Sequence, residues 1–147
     1  MIKKILVPVD GSEHAIKAMR LACDLAEKYE ADVEIVNVCR KNISKKYQSF
    51  IELEYPKDER TRYEKDSKEL GNKIFKDLVD MIQPKISVNS LVLFGDPAEK
   101  IVNHSKNNNF DTIIMGSRGM SDIKGLLLGS VSHKVSSLFD GTCITVK

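Results

Sequence analysis

The sequence predicts an α/β domain on an open, twisted, Rossmann-like sheet of five parallel strands with helices on both faces, and three observations carry that expectation. Short apolar runs such as Ile5-Leu6-Val7-Pro8-Val9 and Thr112-Ile113-Ile114-Met115 have the length of strands buried on both faces. Longer segments between them bring apolar residues back at helical spacing. Strand and helix alternate along the chain, which sets parallel strands side by side joined by right-handed crossovers.

Strand one, Ile5 to Val9, ends in the turn residues Asp10-Gly11-Ser12. Ser12 or Asp10 can cap helix one, in which Ala15, Ile16, Met19, Ala22, Leu25 and Ala26 repeat up to about Tyr29. Val33 to Cys39 is rich in β-branched residues and reads as strand two. A polar stretch without clear period follows to about Tyr55. From Asp58 to Gln83 the charges are dense, yet Leu70, Ile74, Leu78, Val79 and Ile82 keep the helical period until Pro84, with Gly71 a weak point.

Ile86 to Phe94 is strand three, and Gly95-Asp96-Pro97 opens helix three with Asp96 as cap and Pro97 in the first turn. Ala98, Ile101 and Val102 are its buried stripe, and Asn107-Asn108-Asn109 stops it. Strand four is Thr112 to Met115, a glycine-rich loop spans Gly116 to Gly129, helix four runs from Val131 to Phe139, and strand five closes the chain near Cys143 to Val146. No repeat, linker or low-complexity tract divides the sequence, so residues 1–147 are expected to form one domain.

A chain of 147 residues buries roughly 70% of its unfolded surface, enough for a full core without metal or disulfide. With 41% hydrophobic and 30% charged residues, it falls among globular rather than disordered chains. The net charge of +2 comes from 23 basic and 21 acidic residues spread among one another, too weak a field to imply nucleic acid as a partner. Arg40, Lys41, Lys45 and Lys46 read as a solvated loop, with an anion or partner contact as the alternative. Cys23, Cys39 and Cys143 have neither metal spacing nor an even count. Lys3 and Lys4 precede only a short apolar run before Pro8 and Asp10, too short for a secretory or membrane segment. A cytoplasmic location is expected.

In an open α/β sheet ligands bind beyond the carboxyl ends of the strands, where neighbouring crossovers diverge. If strand one is central, Asp10-Gly11-Ser12 and Gly116-Ser117-Arg118-Gly119 face each other there. A phosphate chain needs backbone N–H groups without an intervening Cβ and gains from a helix N-terminus. Gly129, Ser130, Val131 and Ser132 supply that end, and the hydroxyls of Ser130 and Ser132 can either donate to phosphate or cap the helix. Neither G-x4-G-K-[ST] nor G-x-G-x-x-G after strand one is present. Asp10 can share a magnesium or manganese ion with phosphates, cap helix one, or bond a ribose hydroxyl. Arg118 is either a phosphate partner or a solvated side chain. His14, His104 and His133 share no metal or triad spacing and read as exposed helix residues.

The spacing G-x2-G-x9-G-[ST], filled by Gly116, Gly119, Gly129 and Ser130, resembles the ATP-binding signature of the universal stress protein family. The similarity extends to Ile-Leu-Val-Pro-Val-Asp-Gly-Ser at 5–12, to Gly95-Asp96-Pro97 and to Asp111 through Gly119. The resemblance implies strand order 3-2-1-4-5, a homodimer, and an adenine nucleotide, ATP with AMP or ADP as alternatives. Carried over by position, Pro8, Val9 and Asp10 would line the base and ribose side, and the backbone at Val38 would meet adenine. Met115, Gly116, Arg118, Gly119, Gly129, Ser130, Val131 and Ser132 would cradle ribose and phosphates. The family often has Cys-Pro-Val near the last strand, where this chain has Cys143-Ile144-Thr145.

Two function classes compete. A regulatory, stress-response binding protein needs only the cradle, whereas a kinase or efficient ATPase also needs a positioned base and a metal cage. The sequence identifies no general base, which favours binding with slow hydrolysis. The alternative is an ATP-hydrolysing or adenylating enzyme of a related α/β family; a Ser-Gly-Gly loop after strand one would point there, and Asp10-Gly11-Ser12 does not supply it. Strand five, Thr142 to Val146, would lie at an open sheet edge, where the N–H and C=O groups invite a second copy.

Overall fold

The computed structural model describes residues 1–40, 57–120 and 127–147. The basic residues Lys41, Lys45 and Lys46, the rest of the stretch from 41 to 56, and positions 121–126 of the glycine-rich loop lie outside the described residues. The elements are β1 (Lys4–Pro8), α1 (Glu13–Tyr29), β2 (Asp32–Cys39), α2 (Lys57–Ile82), β3 (Val88–Phe94), α3 (Pro97–Asn107), β4 (Thr112–Gly116), α4 (Ser130–Leu138) and β5 (Thr142–Val146). The strands form one sheet in the order β3-β2-β1-β4-β5, every pair parallel. The order implied by the family resemblance is the one observed.

Alternation along each strand divides the core into two layers. Ile5, Val7, Val9, Val33, Ile35 and Ile114 pack with the α1 residues Ala15, Ala18, Met19 and Ala22 and with Phe75 and Leu78 of α2. Leu6, Val36, Ile113 and Met115 face the other way, onto Ala98, Ile101 and Val102 of α3 and onto Val135 and Phe139. Full burial of each large aliphatic side chain stabilises the fold by roughly 1.5–3 kcal/mol, so both layers contribute substantially. The first two crossovers thus cover one face, and the last two cover the opposite face.

Local signals set the helix ends. Ser12 is the N-cap of α1 and accepts the Ala15 N–H, while Asp96 caps α3 by accepting the Glu99 N–H. Gly71 lets α2 approach the sheet, since a Cβ there would stand 2.6 Å from Val92 Cγ2. What reads in the sequence as a weak helix position is therefore a packing requirement. Although the chain departs from the family pattern at Cys143-Ile144-Thr145, β5 pairs with β4 in unbroken register from Thr112↔Thr142 to Gly116↔Val146.

Candidate functional site

The crevice arises because β1 and β4 part company. Their pairing covers Ile5↔Thr112 and Leu6↔Ile113, whereas β1 stays with β2 as far as Pro8↔Val36, and the Val9 N–H still donates to the Val36 carbonyl at 2.9 Å. Meanwhile β4 continues beside β5 to Gly116. Past Leu6 the two central strands follow different neighbours, and a cavity of about 300 Å³ opens between their carboxyl ends. The chain's two crossover pairs lie on opposite faces, so this is the switch point of the fold.

Eleven of the twelve residues expected to bind the nucleotide line this cavity: Pro8, Val9, Asp10, Val38, Met115, Gly116, Arg118, Gly119, Ser130, Val131 and Ser132. Gly129 does not line it. It is the N-cap of α4, and its N–H donates to the Ser117 carbonyl at 2.6 Å. Ser12, in the turn expected to face the crevice, lines it too, as do six residues the sequence does not assign to the site: Ala15, Val36, Arg40, Pro97, Ile101 and Met120. Gly95-Asp96-Pro97 was the available signal for the α3 contribution. Nothing local in the sequence marks Val36 or Ala15, which are core residues whose strand or helix ends at the crevice.

The turn after β1 is held by its own side chains. Asp10 Oδ1 accepts the Ser12 N–H at 3.0 Å, and Oδ2 accepts the Met120 N–H at 3.0 Å. Gly11 between them has φ +84°, a left-handed conformation that favours glycine. Gly116 serves contact with α1: a Cβ there would stand 2.7 Å from His14 Cβ and 3.0 Å from the His14 carbonyl carbon. The sequence offers Gly116 as an approach point for phosphate; the structure gives it a packing role against α1.

The electrostatics favour an anion. Among the described residues, Arg40 and Arg118 line the cavity with a single carboxylate, Asp10. Arg118 Nε is buried and has no hydrogen-bond partner among the described residues, which is uncommon for a buried donor and leaves it able to meet a ligand acceptor. Helix α4 starts at Gly129 without a side-chain cap, unlike α1 and α3, so its first-turn N–H groups meet the cavity without a competing side chain. The Ser132 hydroxyl takes neither of its two alternatives: it is directed inward, within hydrogen-bond reach of the Ser117 and Gly129 carbonyls. Asp96, beside this mouth, has its carboxyl pKa lowered, first by the Glu99 N–H and then by Lys134 and Arg40.

Among the described residues no group of three His, Cys, Asp or Glu side chains could hold a metal ion. Asp10 could therefore give a cation one carboxylate already accepting two N–H groups, and phosphate oxygens would have to complete the shell. Two histidines differ from the expectation of exposure. His104 Nε2 pairs with Glu34 Oε1 in a half-buried position, and His14 Nδ1 lies 3.4 Å from the Val146 carbonyl. Both helices turn these side chains toward the sheet, whereas His133 is exposed. All three cysteines are free, and burial raises each thiol pKa.

The model of the universal stress protein family matches residues 1–147. Universal stress protein YxiE of Bacillus subtilis is 33% identical over 144 residues, spanning 97% of this chain and 96% of that one. Universal stress protein MJ0577 of Methanocaldococcus jannaschii is 28% identical across 100% of this chain and 96% of its own length. The solved structure of MJ0577 superimposes with a TM-score of 0.79. A universal stress protein in complex with cAMP shares the fold with a TM-score of 0.68 at 20% identity, the match covering 99% of this chain and 96% of that one.

Proposed function

The chain belongs to the universal stress protein family, and from that premise we propose that it is a regulatory stress-response protein that binds ATP between β1 and β4. Hydrolysis is slow and is not its purpose. Pro8, Val9 and Asp10 take the base and ribose side, with the Val38 backbone at adenine. Met115, Gly116, Arg118, Gly119, Ser130, Val131 and Ser132 take ribose and phosphates, and Gly129 sets the N-terminus of α4.

The observation that carries this reading is the conjunction of an unpartnered buried Arg118 Nε with the helix start at Gly129 that has no side-chain cap. Both features stabilise an anion of the kind a polyphosphate presents. Relatives of the same fold in complex with cAMP and, from Archaeoglobus fulgidus, with dAMP support an adenine nucleotide as the ligand class. The slow-turnover part is supported by the cavity lining, in which Asp10 is the one carboxylate and no histidine or lysine is found among the described residues. A magnesium or manganese ion would arrive with the phosphates and meet Asp10 at most.

Two further parts of the reading follow from the fold. Strand β5 lies at the sheet edge, and its free backbone groups suit antiparallel pairing with a second copy about a two-fold axis. Among the described residues no helix is long and apolar enough to cross a membrane, which agrees with a cytoplasmic setting.

The direct test is to denature the purified protein and identify what it releases. Adenosine phosphates at close to one per chain are expected, with ATP binding by calorimetry exceeding AMP and ADP. A chain that carries none and takes up none on titration refutes the proposal.

A further inference from the structure

Ser117 follows β4 and is 1% exposed, and Ser132 in the first turn of α4 is 2% exposed. The Ser132 hydroxyl lies 2.8 Å from the Ser117 carbonyl oxygen and 3.0 Å from that of Gly129. A hydroxyl has one proton to donate, and here it is directed inward. The Ser117 carbonyl also accepts the Gly129 N–H at 2.6 Å, so one oxygen with two lone pairs holds both the cap and the first turn of α4. On the other side, the Ser117 N–H donates to the Val146 carbonyl at 2.7 Å, at the end of β5. The Ser117 hydroxyl is 3.5 Å from His14 Nδ1, which itself approaches the same Val146 carbonyl.

We infer that Ser117 is a mechanical junction between the anion-binding end of α4 and the last residue of the edge strand, with the Ser132 hydroxyl as its latch. Ser132 is thus a positioning residue. It fastens the first turn of α4 to the exit of β4, so that the N–H groups of that turn are aimed before a ligand arrives. Movement of the turn passes to β5 through a single residue, because the two peptide planes that meet at the Ser117 Cα are each hydrogen-bonded, one to Val146 and one to Gly129, and its side chain is enclosed. The ligand in this inference rests on the preceding reading; the latch itself does not.

Amide hydrogen exchange on the full chain tests it in two arms. Without ligand, Ser132→Ala is expected to speed exchange at both Gly129 and Ser117 by tenfold or more, leaving the α1 amide of Ala22 unchanged. Ser132→Thr, which keeps a hydroxyl on the same carbon, is expected to restore most of the protection. No acceleration, or acceleration at Gly129 alone, overturns the junction. In the parent, saturating ATP is expected to slow exchange at Gly129 and at Ser117 together; protection that stops at Gly129 overturns the coupling. A parent that binds no ATP by calorimetry refutes the nucleotide reading, and the ligand-free arm then decides the latch alone.

Discussion

The carboxylate of Asp10 ties the first turn of the chain to the glycine-rich loop 110 residues later, accepting the Met120 N–H at 3.0 Å. Its other oxygen accepts the Ser12 N–H at the start of α1. Two sides of the crevice are therefore held by one side chain, and a hydrogen bond to a charged acceptor contributes roughly 1.5–3 kcal/mol, less where water competes. Asp10→Ala is expected to weaken ATP binding by about tenfold, with Asp10→Asn intermediate because its amide can accept only one of the two N–H groups. Titration calorimetry on the three proteins checks the ranking, and equal affinities would show that the tether does not shape the site.

Arg118 should distinguish phosphate from base. Its buried Nε finds no acceptor among the described residues, so a charge-assisted bond to phosphate would add roughly 1.5–3 kcal/mol, or about 10- to 100-fold in affinity. Arg118→Met is expected to lose that factor for ATP while adenosine binds as before. The salt dependence of ATP binding should flatten as well. An ATP affinity that survives the substitution would remove Arg118 from the phosphate site.

Gly116 is expected to matter even without nucleotide. The Cβ of Gly116→Ala would press on His14 at 2.7 Å, and overpacking of this kind destabilises by about 1–3 kcal/mol. Urea unfolding of the ligand-free protein reads this directly. A variant as stable as the parent would mean that α1 yields at its first turn and that packing does not require glycine there.

Asp96 gives a pH prediction. Its folded pKa is depressed by the Glu99 N–H above all, then by Lys134 and Arg40. The stability it contributes is therefore present above the unfolded value and lost as pH falls through the lower folded value. Asp96→Ala is expected to cost about 1 kcal/mol at neutral pH as a lost helix cap. The gap from the parent should narrow once pH drops below roughly 4. Denaturant unfolding at several pH values checks the sign; a gap that widens in acid contradicts it.

The proposed pairing of β5 with a second copy can be tested at the open edge of the strand. The Thr142 N–H donates to the Asp111 carbonyl and the Val146 carbonyl accepts the Ser117 N–H. Parallel pairing alternates sides along a strand, so Thr142, Ile144 and Val146 turn their backbone groups toward β4. Cys143 and Thr145 present theirs at the open edge. Thr145→Pro is expected to give a monomer by light scattering with the β4–β5 ladder intact, whereas a monomeric parent or a dimeric variant excludes β5 as the interface.

Much of this was legible locally. Strand-length β-branched runs and helical periodicity mark the nine elements of the described residues to within a few residues, because burial on two sheet faces demands those patterns. Ser12 and Asp96 announced their helices because capping is a contact made within a few residues. Arg40, Pro97 and Ile101 were not visible as site residues, since their place in the crevice depends on β2 and α3 ending beside β1. The partly buried positions of His14 and His104 were missed for a similar reason: a helix with polar neighbours looks exposed until the sheet it covers is in place.

The sequence by itself determined the fold class, the sites of the turns and the residues able to meet a phosphate, because propensity, capping and glycine spacing act over a few residues along the chain. Only the tertiary structure decided what those residues do with their atoms. It placed the Ser132 hydroxyl inward, gave Gly116 to the packing of α1, left Arg118 Nε without an acceptor among the described residues, and set the Asp10 carboxylate across the crevice. Each outcome depends on the distance between groups far apart in sequence, and those distances exist only once β1 and β4 stand side by side and then part.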